Sequence, residues 1–167
     1  MKFRVAVLFA LPLLFIACKP KPKNIPPVQR KEAATLVSEA QFAMTIRDFA
    51  RAEPLLEKAA KLSPDTGDYW LNLGVVRRRL DNKSGAKSAF ESALHAFQDA
   101  YKIDAKQSDA LLKQIYVLAL LGRPDEARRT LEKARKHAPD DPAIRTFAER
   151  NELDQLMQDP SFKEVAL

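Results

Sequence analysis

Three kinds of side chain in this 167-residue sequence could carry chemistry: one thiol, Cys18; two imidazoles, His95 and His137; and a cationic run, Arg77-Arg78-Arg79. The thiol is open to covalent modification, but as the only cysteine it has no disulfide partner within the chain. The imidazoles stand apart, with no His-Glu-x-x-His spacing and no second cysteine to complete a metal site. The four glycines form no phosphate-cradling loop, and no Gly-x-Ser-x-Gly turn presents a strained nucleophile. The acidic residues fall where helix caps and solvated faces would put them, so no enzyme, metal site or cofactor is expected. The arginines suit charge-assisted hydrogen bonds to an acidic or helical partner; a solvated helix face is the alternative.

The surroundings of Cys18 give it a role. Lys2 and Arg4 precede an apolar run from Val5 to Ala17, broken only by Pro12, in the pattern of a secretory signal. A helix of that length covers about 20 Å of a hydrocarbon core roughly 30 Å thick, so residues 1–17 read as a removable signal and not a membrane span. Ala17 followed directly by Cys18 resembles the lipobox of bacterial lipoproteins, with Phe15 standing where that family usually has leucine. The resemblance implies diacylglycerol on the Cys18 sulfur, cleavage before it and acylation of the new amino terminus. Several acyl chains at about 0.8 kcal/mol per buried methylene make a stable anchor. Lys19 follows where an aspartate would signal inner-membrane retention, so the resemblance implies the periplasmic face of the outer membrane.

Residues 18–31 read as a tether, because residues 19 to 31 hold four of the eleven prolines and almost nothing that could build a core. In polyproline II geometry, at about 3.1 Å per residue, such a spacer reaches up to about 40 Å. Lys19, Lys21, Lys23, Arg30 and Lys31 could attract anionic head groups, or do no more than keep the spacer solvated. The net charge of +6 and pI near 9.5 would ordinarily point to nucleic acid. Here two cations belong to the signal, the remaining excess lies in the tether, and later residues mix both signs, so no nucleic-acid partner is expected.

The elements that must position everything else announce themselves by period. Ala52 and Ala59 recur 34 residues later as Ala86 and Ala93, and Ala127 and Ala134 repeat the inner spacing of seven. Leu56, Phe90 and Leu131 are the large apolar residues between each pair, Trp70, Leu73 and Gly74 mark the preceding helix, and Pro64 and Pro139 follow the unit ends. This pattern resembles the tetratricopeptide repeat. The resemblance implies an all-α, right-handed α-solenoid of about three helix–turn–helix units at 33–66, 67–100 and 108–141, within a domain at 32–167 capped by 142–167. The third unit starts seven residues late, close to two helical turns, so the second helix of unit two should run on through Phe97 and Tyr101.

Ala40 and Gly74 allow close helix approach where Ile115 does not, so the third pair should be spread. Gly122 suits positive φ at a helix end, with Asp125 and Glu126 opening the next helix. Pro54 should bend its helix without breaking it. Pro142 can open one final helix, with Ile144, Phe147, Ala148, Asn151, Leu153, Leu156 and Met157 as its apolar stripe. Phe162, after Asp159-Pro160, packs back as a plug or serves as a partner-binding tail.

The resemblance further implies a concave groove made by the first helix of each unit. By register its candidate binding residues are Gln41 and Met44 in unit one, Leu71, Asn72, Val75, Arg78 and Arg79 in unit two, and Leu112, Lys113 and Tyr116 in unit three. One variety of the family grips a C-terminal carboxylate; its positions here hold Val37, Gln41, Asn72, Asp109 and Lys113, and Asp109 would repel the anion. The expected function is a membrane-anchored periplasmic scaffold or adaptor for proteins of pilus, secretion, outer-membrane or cell-wall assembly. The alternative is a structural envelope lipoprotein that self-associates through the extended helix around Phe97 and Tyr101.

Overall fold

The computed structural model describes residues 22–106 and 108–167; the signal, Cys18 and the start of the tether lie outside them. Helix α1 (Pro27–Thr45) opens on a proline at its first position, where the missing N–H would have no helical partner anyway. The helix therefore begins inside the stretch expected to be spacer. Arg30, expected there to face lipid or solvent, instead pairs with Asp65 at 2.6 Å.

Two helices make each hairpin. Helix α2 (Phe49–Leu62) completes the first, and Pro54 lies within it without ending it. The second is α3 (Gly67–Arg79) with α4 (Lys83–Ile103), the longest of the described helices. The third is α5 (Ser108–Leu120) with α6 (Pro124–His137). Each hairpin turns on one residue with left-handed backbone: Arg47 at φ 61°, Asp81 at 58° and Gly122 at 67°. The next N–H then reaches back into the finished helix, Asp48 to Ala43, Asn82 to Arg77 and Arg123 to Leu118, at 2.8–2.9 Å. Asp48 and Asn82 in turn cap α2 and α4, accepting from Arg51 N–H at 3.1 Å and Gly85 N–H at 2.9 Å.

Each of these helices packs on its neighbours in sequence, as a solenoid requires. The small residues do what their spacing implied: Ala52, Ala59, Ala86, Ala93, Ala127 and Ala134 are all buried. Leu56 and Phe90 fill the space between their alanines completely, whereas Leu131 is only half-buried. Gly74 lies so close to Phe90 that a Cβ there would stand 2.4 Å from the ring. The α5–α6 pair, with Ile115 buried at the corresponding place, is the least extensively packed of the three. Phe42 stands 34 residues before Val76. Val76 is fully buried, but Phe42 is 61% exposed, because no hairpin precedes α1 among the described residues.

Two expectations about unit two meet different outcomes. The long α4 runs through Phe97 and Tyr101 as the late start of unit three requires. Phe97 is not exposed for a dimer contact, and Tyr101 is so only in part. Phe97 is buried in the second and third hairpins' shared core, and Tyr101 packs on Leu111, Ala134 and Ile144.

The C-terminal region departs from the single helix expected. It forms α7 (Pro142–Glu149), α8 (Glu152–Gln158) and α9 (Pro160–Val165). Asn151, expected in an apolar stripe, is exposed at φ 52° and ends α7, as asparagine tolerates that backbone better than most residues. Pro160 cannot continue α8 and instead opens α9, with Asp159 as its cap. The chain thereby returns to α3.

Candidate functional site

The first helices α1, α3 and α5 carry every groove residue expected from the register, and Lys113 on α5 meets Asp68 on α3 at 3.0 Å across that face. The two halves of the face differ. On α1 and the start of α3, Gln41 is exposed, Met44 and Asn72 are half-buried, and neither amide makes a hydrogen bond among the described residues.

Between α3 and α5 the face is covered by the chain's own α9. Leu71, Val75, Leu112 and Tyr116 are half-buried against a core that includes Phe162 and Val165. The Phe162 ring meets Tyr116 edge-on, with centroids 5.7 Å apart and planes at 70°. Arg78 Nε donates to the Ala166 carbonyl at 3.0 Å and its terminal nitrogen to the Glu164 carbonyl at 3.4 Å. Arg79 forms an ion pair with the Glu164 carboxylate. Leu167 N–H donates to the Leu120 carbonyl at 2.8 Å. The two arginines expected to hold an outside partner therefore hold residues 164–166, and Phe162 is the plug and not a free tail.

Lys113 is likewise engaged. Burial pulls its ammonium down, but the hydrogen bonds it donates to Asp68 and Asp109 outweigh that and hold it above its ordinary value. It also stands 5.6 Å from the Phe97 ring centroid. A carboxylate arriving here would face two acids already in place. Burial also pushes the Tyr116 phenol up, and the Asp159 charge adds to it.

Asp159 is the residue that starts α9. Its carboxylate accepts from the Ser161 hydroxyl, from Ser161 N–H at 2.7 Å and from Phe162 N–H at 3.2 Å. The Ser161 hydroxyl, then these two N–H groups, hold its carboxyl below the ordinary value of 3.8. A depressed native value means stabilisation that is complete above the unfolded value and lost as pH falls through the native one. The docking of α9 is therefore expected to be constant from neutral pH to about 5 and to loosen below about 4. Amide shifts of Ser161 and Phe162 would report it, and Asp159→Asn should reduce that acid dependence, leaving the part due to the Glu164–Arg79 pair; an unchanged titration in the variant would remove Asp159 from the cause.

Sequence reasoning missed Glu164, Ala166 and Leu167 as groove contacts. The available signal was a short amphipathic piece after Asp159-Pro160, with Phe162 and Val165 three apart on one face. It also missed a cleft of about 620 Å³ that shares no residue with the groove. Pro22, Lys23, Trp70, His95, Asp99 and Ile103 contribute to its walls. Trp70 is fixed there by its indole N–H on the Pro64 carbonyl at 3.1 Å, and His95 Nδ1 lies 3.2 Å from Asp99. Among the described residues, no helix is long and apolar enough to cross a membrane.

Comparison with known proteins agrees with this architecture. Two tetratricopeptide repeat models match, one over residues 38–101 and the other over residues 86–150, so that together they run from the last turns of α1 through α7. No curated protein matches the chain. Domains of this kind are typically non-catalytic scaffolds for protein–protein interaction. With the 34-residue period, the buried alanines and the serial helix packing, the matches make this chain a tetratricopeptide repeat protein.

Proposed function

We propose that the protein is a scaffold held at a membrane of a bacterial cell envelope by lipid on Cys18, gathering envelope proteins on the concave face of its repeats. The open α1–α3 part of that face carries the reading: Gln41 and Asn72 offer amide donors and acceptors with no hydrogen-bond partner among the described residues, beside the apolar edge of Met44. The Ala17-Cys18 junction behind a short apolar run supports the anchor, and Lys19 favours the periplasmic leaflet of an outer membrane. Confinement to a surface raises the effective concentration of neighbours, so modest intrinsic affinity gives useful occupancy. Pilus, secretion, outer-membrane or cell-wall assembly proteins are the partner class this location supplies.

Two substitutions test it. Cys18→Ser should shift nearly all of the protein from the membrane fraction to the soluble one. Gln41→Ala with Asn72→Ala should weaken partner binding, and with it crosslinking, roughly thirtyfold, since each lost hydrogen bond is worth about 1 kcal/mol. Helicity should not change. Wild-type membrane retention of Cys18→Ser would overturn the anchor, and undiminished crosslinking would overturn this part of the face.

A further inference from the structure

The chemistry by which α9 is held is largely chemistry of a helix end. Arg78 donates to the backbone carbonyls of Glu164 and Ala166, at and just beyond the last turn of α9, where carbonyls have no helical partner. A cation there also favours the negative end of the helix dipole. None of this reads side-chain identity. Three contacts do: Phe162 against Tyr116, Val165 in the same core, and Glu164 against Arg79. The site thus accepts a short helix that has an aromatic residue two places before a carboxylate and that ends beside Arg78.

The occupant is built to leave. Helix α9 has six residues, α8 seven and α7 eight, all shorter than helices that hold together alone in water. They are separated by Asn151 and by the Asp159-Pro160 step, where the chain can swing without breaking a helix. The α1–α2, α3–α4 and α5–α6 contacts are made within the hairpins themselves, and α9 adds Phe162 and Val165 to the core of the second and third. Most of α9's apolar contact comes from two side chains, Phe162 and Val165.

We propose that residues 159–167 are an internal ligand, and that the groove between α3 and α5 is a receptor for a short amphipathic helix of a partner protein that displaces them. This rests on the scaffold reading but not on the lipid anchor. It divides the concave face into a stretch that is always open, at Gln41 and Asn72, and one that opens only when a segment of matching chemistry competes with α9. Partners lacking the aromatic and the carboxylate are refused because they cannot replace what they expel.

The test uses the full chain and a labelled synthetic peptide of residues 157–167. Phe162→Ala with Glu164→Arg weakens the internal copy without altering the receptor. The peptide should bind this variant at least about tenfold more tightly than it binds wild type, and adding Arg78→Ala should reverse the gain. Equal binding to both proteins, or none to a folded variant, overturns the proposal. A wild-type dimer that dissociates in the variant would assign the groove to a second copy and overturn the partner version. Should the variant fail to fold, hydrogen exchange on wild type decides: amides 162–167 should exchange at least about tenfold faster than those of α4, and exchange only together with α4 would make the segment a permanent plug. Loss of peptide binding would leave crosslinking at Gln41 and Asn72 untouched, so the two readings fail separately.

Discussion

Phe90→Ala should lower the stability of the domain by about 3–5 kcal/mol, the usual range for emptying a fully buried aromatic site. Phe90 has no exposed surface, lies between the fully buried Ala86 and Ala93, and is pressed against Gly74. Ala86, Ala89 and Ala93 around it are too short to refill the space, and Leu94 and Phe97 on the same helix are already packed into the core. At this chain size the loss corresponds to a fall in midpoint of roughly 10 °C. Thermal and urea unfolding followed by circular dichroism would measure it, and a cost below about 1 kcal/mol would mean the hairpin core is not organised around this ring. The pair with Gly74 sharpens the test. Gly74→Ala alone gains up to about 1 kcal/mol of helix propensity but pushes a methyl into the ring, a collision that costs about 1–3 kcal/mol. With Phe90→Ala present the same methyl partly fills the cavity and should stabilise, so the two changes are expected to be strongly non-additive.

Charge reversal at both Arg78 and Arg79 should release the C-terminal segment without melting the hairpins. Arg78, with its side chain 13% exposed, gives up two hydrogen bonds to backbone carbonyls; Arg79 gives up an ion pair to Glu164 and turns it into a repulsion. The Arg79 pair is partly solvated, at 27% and 59% exposure, and counts for the smaller share. A loss of about 3 kcal/mol in local closure would raise the open fraction on the order of 100-fold. Protease sensitivity and hydrogen exchange confined to residues 159–167 are the measurements. Helical signal should drop by no more than a single short helix. Unchanged exchange at Phe162–Leu167 would show that the apolar contacts alone hold the segment.

The repeats were legible because their determinants are local and periodic. Small residues at fixed offsets and a large one between them constrain packing wherever they occur, and the seven-residue delay before unit three could be read as helix because it equals nearly two turns. Two of the three hairpin turns were not foreseen, since Arg47 and Asp81 take the left-handed backbone that Gly122 advertises and they do not. The start of α1 was placed late because proline was read as spacer when, at a first helical position, it is also a beginning. The groove residues were placed on the correct helices, but what fills the groove joins positions 85 to 88 apart in sequence, a separation over which no period speaks. Breaks at Asn151 and Pro160 were individually visible and were outweighed by an apolar pattern that three short helices satisfy as well as one.

The extra length of α4 also sets a phase. Two turns add about 10 Å of advance but return the chain to within roughly 20° of its starting azimuth, so the third hairpin is displaced along the α4 axis while still facing the same way. A length change of three or five residues at that place would swing α5 by a large angle and aim Tyr116 and Leu120 elsewhere, so they could not meet Phe162 and Leu167. Insertions here are therefore restricted in phase: lengths near whole turns, such as about seven or eleven residues, keep the third hairpin facing the same way, and intermediate lengths turn the receptor for α9 apart.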